Sequence, residues 1–507
     1  MGIKRYKPNA DNTITNAYKS DLATRATGSN MGGADILEIF HIWGAATTTN
    51  AASASENSRA LMKFNIDTIV TDRTAGTLPT SGSVSFYLRM FNAEHGSTLP
   101  SDYKICVHPL SGASASVWTE GEGMDMDTYL DHGYCNWTAS YSSSAGGIQY
   151  WTNEGGDYYS GSNETYQYSI DKGTEDVVLD VTQLVEDWIT GSSGGKFENY
   201  GLIVKLSSSY EAAQRSYYTK KFFSRSSQYF YKRPYLEARW DSTRKDRRGD
   251  FIYSSSLAPA ADNANTLYLY NYVRGQLRNI PSVGTGSILV SLYSGSAKNT
   301  GPSGSELSMS KGGDVATTLD TNATGGWIAT GIYSCSLCIT SSSTAPSQLF
   351  DVWHSGGVQF HTGSIYPERL YATAHNPSSR YVTKITNLRP QYHTHETARF
   401  RLFVRQKDWS PTIYSKATAT VPNYCIESAS YKVIRVVDEL EVIPFGTGST
   451  QHTALSLDVS GNYFDLDMNM FEPDYTYAIK LAYYNGAVGD YEEQKEEFRF
   501  RVEKHEP

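Results

Sequence analysis

Ser83-Val-Ser-Phe-Tyr-Leu-Arg-Met-Phe91 decides the fold class. Val84, Phe86, Leu88 and Met90 alternate with Ser85, Tyr87 and Arg89, so an extended chain puts its apolar side chains on one face and its polar ones on the other. A helix would scatter the same residues around its surface. The period of two returns in Glu497-Phe-Arg-Phe-Arg-Val-Glu503, where Phe498, Phe500 and Val502 share one face and Arg499, Arg501 and Glu503 the other. Ala398 to Arg405 alternates in the same way. Further strand-like runs are Ile36 to Trp43, Ala60 to Ile66, Lys104 to His108, Val177 to Leu179, Gly201 to Leu206, Lys221 to Ser224 and Tyr235 to Arg239. Between them lie tracts of small polar residues, such as Ala46 to Ser58 and Ser140 to Gly147, which read as surface loops.

Composition agrees with an all-β chain. The 507 residues include 38 Tyr and 42 Gly; 39% are hydrophobic and 19% charged, below the soluble norm of about 25%. Coiled coils, helical bundles and acidic disordered tails are excluded, and enough apolar mass remains to fill several cores. One helix stands out. In Asp180-Val-Thr-Gln-Leu-Val-Glu-Asp-Trp-Ile-Thr-Gly191, Asp180 is placed to cap the start, Gln183 follows at capping-box spacing, and Gly191 supplies a stop. Leu184, Val185, Trp188 and Ile189 form its apolar face.

Three textures follow one another. Residues 1–240 form the first domain, 241–250 a charged, turn-rich linker, 251–377 a second domain and 378–507 a third. Strands punctuated by Gly, Ser and Pro predict immunoglobulin-like sandwiches for the second and third.

The net charge is −9, and the one tight basic cluster, Arg244, Lys245, Arg247 and Arg248, is offset by Asp241, Asp246 and Asp250. This pattern argues against nucleic-acid binding. No run approaches the ~18 apolar residues of a membrane span, and the start lacks a secretory core, so synthesis and folding in a cytoplasm without membrane insertion are expected. Cys106, Cys135, Cys335, Cys338 and Cys425 are too scattered for a disulfide framework, and the CxxC of Cys335 and Cys338 has no second pair to complete a zinc site.

Signals for chemistry are sparse. Asp125 and Asp127 share one side of an extended segment and offer hard oxygens to Ca²⁺, without the glycine and terminal Glu of an EF-hand loop; solvated loop acids are the alternative. Asp465 and Asp467 pose the same choice. His393 and His395 project together from a strand, with His354 and His361 as possible company, but no HExxH motif frames them. No phosphate-binding glycine loop and no nucleophile elbow is present, so no cofactor and no enzymatic activity are expected. The stronger signal is aromatic. Tyr141, Tyr150, Trp151, Tyr158 and Tyr159, with Tyr166 and Tyr168, crowd a Gly/Ser-rich stretch. Such rings stack on sugars, serve protein interfaces, or simply line strand edges. A second cluster, Tyr217, Tyr218, Phe222, Phe223, Tyr229, Phe230, Tyr231 and Tyr235, reads as packing.

Two resemblances sharpen these expectations. Ser58-Arg-Ala-Leu-Met-Lys-Phe-Asn-Ile66, Val84 to Phe91, Asp180-Val-Thr182 with Trp188, Asn199-Tyr-Gly-Leu-Ile-Val204, Phe223-Ser224 and Arg233-Pro-Tyr-Leu236 come in an order that resembles the DNRLRE domain. That likeness implies a jelly-roll β-sandwich related to carbohydrate-binding modules for the first domain. Arg225-Ser-Ser227 stands where the family places an acidic residue. The closing half resembles virion structural proteins of tailed bacteriophages, particularly marine T4-like phages. The residues that carry it are Ala398-Arg-Phe-Arg-Leu-Phe-Val-Arg-Gln-Lys-Asp-Trp-Ser-Pro-Thr-Ile-Tyr414, Val442-Ile-Pro-Phe-Gly-Thr-Gly448, Leu457-Asp-Val-Ser-Gly-Asn-Tyr-Phe-Asp-Leu-Asp467 and Phe498-Arg-Phe-Arg-Val502, joined by Ala10-Asp-Asn-Thr-Ile-Thr-Asn16. It implies a non-enzymatic, homo-oligomeric particle component at the neck or collar, tail or capsid surface, with other virion proteins as partners. The alternative is an adhesin for host-surface polysaccharide.

Overall fold

The computed structural model describes residues 2–44, 55–94, 99–128, 134–142, 147–191, 197–295, 301–312, 319–340, 345–372, 380–407, 409 and 423–504. The chain is all-β, built from β-sandwiches, and it divides into two compact units, Gly2–Asp241 and Ser242–Pro507, with Met1 grouped with the latter. Among the described residues no helix is long and apolar enough to cross a membrane.

The first unit contains β1 (Ile3–Tyr6), β2 (Pro8–Thr15), β3 (Ile36–Trp43), β4 (Ser55–Phe64), β5 (Ser85–Met90), β6 (Tyr103–Pro109), β7 (Ala139–Ser142), β8 (Ile148–Tyr150), β9 (Tyr166–Ile170), β10 (Val177–Asp180), β11 (Leu202–Leu206), β12 (Tyr217–Phe223) and β13 (Tyr235–Arg239). One sheet runs β1-β13-β5-β10; the other runs β12-β3-β4-β11-β6-β9, with β2 also on β4. Eight of these strands, falling into the orders 1-13-5-10 and 4-11-6-9, reproduce the double Greek key of a jelly roll, which β2, β3 and β12 widen. The alternation of the opening stretch works as expected: Val84, Phe86, Leu88 and Met90 enter the core between the sheets, against Ile105, Val107, Leu202 and Val204.

A second, smaller core lies on the other face of the larger sheet. There Ile14, Leu61 and Ile203 pack under Leu110, Ala115, Trp118, Cys135, Trp137 and Trp151 from the long excursion between β6 and β9. This is why Ala60-Leu-Met62 and Leu202-Ile-Val204 are apolar without interruption: each of their faces meets a core. Within this excursion β7 and β8 pair as a hairpin, so the tract from Ser140, read from sequence as a loop, begins as strand; residues 143–146 lie outside the described ones. On the smaller sheet, the fully buried Glu237 takes 2.8 Å bonds from Arg5 Nε and Arg239 Nε. Burial pushes its pKa up, but Arg5, Arg239 and Arg89 outweigh that and hold it at about 2.

The expected helix is α3 (Thr182–Thr190), following α1 (Ile66–Thr74) and α2 (Gly112–Ser116) and preceding α4 (Ser208–Glu211). Leu184, Val185 and Trp188 enter the core, and Gly191 ends the helix at φ 64°. Asp180 Oδ1 accepts from the Thr182 amide at 2.9 Å, one residue away from the capping position itself. The expectation of one helix is corrected by α1. The strand read as Ala60 to Ile66 stops at Phe64, because the Asn65 side chain accepts the Asp67 amide at 3.0 Å and starts a helix there. Arg73 of α1 holds Glu186 of α3 at 2.9 Å.

The second unit holds two sandwiches. The first comprises β14 (Ile252–Tyr253), β15 (Asn265–Tyr270), β16 (Tyr272–Val273), β17 (Gln276–Leu277), β18 (Ser287–Gly295), β19 (Ser303–Leu307), β20 (Ser310–Lys311), β21 (Ala323–Ala329), β22 (Ile332–Cys338), β23 (Gln348–Ser355), β24 (Val358–Ile365) and β25 (Glu368–Arg369). The second comprises β26 (Tyr381–Ile385), β27 (Gln391–His393), β28 (Thr397–Gln406), β29 (Ala429–Arg435), β30 (Glu441–Ile443), β31 (Ser456–Asp458), β32 (Gly461–Asp467), β33 (Thr476–Asn485) and β34 (Asp490–Glu503).

Its two sheets, β26-β28-β32-β31 and β27-β34-β33-β29-β30, are the ABED and GFC sheets of an immunoglobulin domain. A tyrosine corner completes the match: Tyr477, at the start of β33, donates its hydroxyl to Glu472 O at 2.8 Å. Antibody domains pin their sheets with a disulfide, whereas all five cysteines here are free. The space is filled by rings, with Tyr431 on Phe464 at 4.3 Å and Phe400 on Phe464 at 5.2 Å.

The preceding sandwich repeats these pairings, β15 with β22 and β20 with β22 on one side, β19-β18-β23-β24 on the other. It adds β21, whose Ala323–Gly326 half pairs with β18 and whose Gly326–Ala329 half pairs with β22, joining both faces into one sheet. Gly325 permits the crossing, since a Cβ there would overlap Ser334 O.

Of residues 241–250, expected to link domains, Asp241 ends the first unit, and 242–250 are bonded into both sandwiches of this one. Leu457 pairs with Arg244 O and Asp246 N, each at 3.0 Å, while Arg247 N reaches Thr266 O at 2.9 Å. Lys245 and Arg247 hold Glu427 at 2.6 and 2.7 Å. Arg248 forks onto Asp351, which is fully buried and also takes the Trp353 indole N–H at 2.7 Å.

Candidate functional site

The aromatic residues singled out from sequence separate in the structure. Trp151 is only 4% exposed, packs in the outer core, and donates its indole N–H to Asn136 O at 2.9 Å. Its selection as a ligand-facing ring is therefore corrected: β8 is exposed along Ile148 to Tyr150, and the chain turns Trp151 inward directly after it, where its amide reaches Thr138 O at 3.1 Å. Tyr141 is half-buried on β7. Tyr159 stacks on Phe197 at 5.0 Å, while Tyr158 packs against His108 with centroids 4.9 Å apart. Tyr166 and Tyr168 lean on the main core. In the second cluster Phe222 and Tyr235 are buried, but Tyr229 and Phe230 are exposed, with Lys7 Nζ 3.1 Å from the Phe230 ring centre. The Tyr218 side chain lies outside the described residues.

The acidic pair has local work. Asp125 Oδ1 accepts the amides of Asp127 and Thr128 at 2.9 and 2.7 Å, and Asp127 Oδ1 accepts Ser20 N at 2.8 Å. Asp465 is paired with Arg399 and Asp467 caps a short turn. Among the described residues no group of three or more His, Cys, Asp or Glu is placed to hold a metal ion. His393 and His395 stack at 6.1 Å in the last sandwich, while His354 belongs to the preceding one, its Nε2 2.8 Å from Ser291 Oγ and 3.1 Å from Asn322 Oδ1. That network ties a sheet face together, since Ser291 is fully buried. His361 stands in register with Trp353 on the neighbouring strand. Both thiols of the CxxC are buried in β22, and burial pushes that of Cys335 up to about 12.

The structure brings together a groove of ≈ 490 Å³ on the outer face of the jelly roll's larger sheet. Its floor comes from β6. Tyr103, Ile105 and Val107 point into the core, so Lys104, Cys106 and His108 share the other face. One wall is Tyr158, Ser160, Thr165 and Gln167; residues 158–159 run beside the end of β6 through Tyr159 N→Pro109 O at 3.0 Å. The other is Ser207 to Tyr210, anchored by Ser207 N→Lys104 O at 3.1 Å and Tyr210 OH→Asp102 O at 3.2 Å.

Beneath Tyr158 lies a charge cluster. Glu211 is shared by Arg59, at 2.8 Å, and by buried Lys205, at 2.9 Å, and both cations stand under the Tyr158 ring at 5.9 and 5.5 Å. Burial, reinforced by Lys205, lowers the His108 pKa to about 4, so its imidazole is neutral at pH 7. Period-two reading of Lys104 to His108 already puts these side chains on one face. What sequence lacks is any sign that residues 158–167 and 207–210 come alongside.

No protein-family model matches this chain, and no curated protein matches it. Solved structures with some likeness include the N-terminal Ig1-2 module of Drosophila Receptor Protein Tyrosine Phosphatase DLAR, at 9% identity over 48% of this chain and 92% of that one, with a TM-score of 0.14. The IG1+IG2 portion of DIP-gamma matches at 11% identity over 49% and 92%, with a TM-score of 0.12. Salmonella alpha-2-macroglobulin matches at 7% identity over 99% of this chain and 34% of that one, with a TM-score of 0.14. Scores this low carry no weight, and the fold assignment rests on the strand pairings.

Proposed function

We propose that this protein is a non-enzymatic structural component of a tailed-phage virion, joining other particle proteins and further copies of itself on the particle exterior, at the neck or collar, tail or capsid surface. The observation that carries this reading is the set of tyrosines left exposed among the described residues: Tyr150, Tyr159 and Tyr229 in the first unit, Tyr272, Tyr366, Tyr371 and Tyr484 in the second, with Tyr371 71% exposed. Tyr is enriched in protein interfaces because it combines a large rigid apolar face with a hydroxyl. The resemblance of the closing half to virion proteins points the same way. Light scattering on the purified protein, with mass spectrometry of purified particles, tests it. A discrete multimer and a particle-borne chain are expected; a strict monomer absent from particles refutes it.

A second reading, an adhesin for surface polysaccharide, is favoured by the groove on the jelly roll, whose volume lies within the ~300–1,000 Å³ of small-ligand sites. Saturable polysaccharide binding tests this reading.

A further inference from the structure

We infer that the groove over β6 takes an acidic saccharide, a sugar chain bearing carboxylate groups. The inference rests on the glycan-binding reading and narrows it to a ligand class.

Three features of the groove converge. Its walls are lined by short polar side chains, Ser160, Thr165 and Gln167 on one side and Ser207, Ser208 and Ser209 on the other. Hydroxyls and an amide donate and accept equally, which matches a ligand whose own surface is hydroxyls. Between them lie apolar ring surfaces, Tyr158 and Tyr210, both held in place: Tyr158 by His108, Tyr210 by an edge contact with Tyr217 at 4.6 Å. Sugars present C–H faces that pack on such rings.

The third feature is charge. Among the described residues no Asp or Glu lines the groove, and Lys104 is the one charged lining residue. The cluster below adds to the positive field, because Arg59 and Lys205 share the single carboxylate of Glu211. A groove of this sign on a chain of net charge −9 favours an anion. The anion is a carboxylated sugar rather than a free phosphate, because the hydroxyl-bearing walls and the Tyr158 and Tyr210 faces match a sugar's surface and would go unused by a bare phosphate. Neutral His108 adds a polar atom to the floor without a second charge, its Nδ1 3.3 Å from Thr165 Oγ1.

The test is calorimetric titration of the full chain with tetragalacturonate, against maltotetraose as a neutral tetrasaccharide and inorganic phosphate as a bare anion. Tetragalacturonate is expected to bind with Kd on the order of 1 mM or tighter. Lys104→Gln should weaken it at least about threefold, consistent with one exposed charge contact. Ser208→Trp, which fills the groove from an exposed position, should abolish it, and Tyr150→Ala should leave it unchanged; circular dichroism checks each fold. Equal binding of maltotetraose, blocked by Ser208→Trp, overturns the acidic class and leaves the glycan reading standing. Phosphate binding as tight as the tetrasaccharide overturns the saccharide. Binding unaffected by Ser208→Trp overturns the site, and no saccharide binding at all overturns both this inference and the glycan reading.

Discussion

Arg248→Ala removes the partner of a carboxylate that has no access to water. Asp351 is fully buried; one oxygen takes the Trp353 indole N–H at 2.7 Å, and both take the Arg248 guanidinium. Truncating Arg248 leaves that charge with a single neutral donor, and breaking a buried pair in this way costs about 3–5 kcal/mol. Surface pairs cost no more than about 1 kcal/mol, so Arg247→Ala, whose partners Asp250 and Glu427 are exposed, is the internal control. For a unit of this size, about 2–4 °C of melting temperature is lost per kcal/mol, so Arg248→Ala should lower the transition of the second unit by roughly 10 °C. Urea unfolding followed by tryptophan fluorescence gives the free energies. Arg248→Ala combined with Asp351→Asn should cost clearly less than the two single variants summed, because the double variant leaves no unpaired charge. A cost below about 1 kcal/mol for Arg248→Ala, or strict additivity in the cycle, would refute the claim that the Arg248–Asp351 pair fastens residues 242–250 to the sandwich of β14 to β25.

Further outcomes follow from single side chains. Trp151→Ala should destabilise the first unit by about 3–5 kcal/mol as a buried large-to-small change, while Tyr150→Ala stays within about 0.5 kcal/mol; chemical denaturation separates them. His108, held near pKa 4 when folded and near about 6.5 when unfolded, binds its proton more readily in the unfolded chain. Its contribution is thus complete above pH 6.5 and shrinks as pH falls towards 4. At pH 5 the loss is about 2 kcal/mol, and His108→Gln should lose less stability than wild type between pH 7 and pH 5. Tyr477→Phe should cost about 1 kcal/mol in the second unit, read from its urea midpoint, through loss of the bond to Glu472 O.

The strands were legible where one face is wet. Val84 to Met90 and Phe498 to Val502 alternate because only one side of each meets a core, and α3 showed itself by its apolar stripe and Gly191. Where both faces are covered the signal failed. Ala60-Leu-Met62 reads as a plain apolar run, and nothing in it says that Leu61 belongs to an outer core with Trp137 and Trp151. That hidden core made the Tyr- and Trp-rich stretch look like a ligand surface, when Trp151 turns inward beside exposed Tyr150. The contacts of residues 241–250 were hidden for a related reason. Charges in a turn-rich stretch usually mean solvent, but here Arg248 meets its partner 103 residues away, a separation that no local pattern encodes.

The fastening at residues 242–250 also imposes an order in time. Arg248 is synthesised 103 residues before Asp351, Lys245 182 before Glu427, and Arg244 212 before Ser456. At about 5–20 residues per second, Arg248 waits roughly 5–20 s on a ribosome for its partner, and Lys245 and Arg244 wait longer. Through that interval Arg244, Lys245 and Arg248 have yet to meet the partners that hold them in the finished unit. Arg248 is held first, by the sandwich of β14 to β25, and Lys245 and Arg244 only when the sandwich of β26 to β34 follows, so the fastening closes in the order in which the two sandwiches are made.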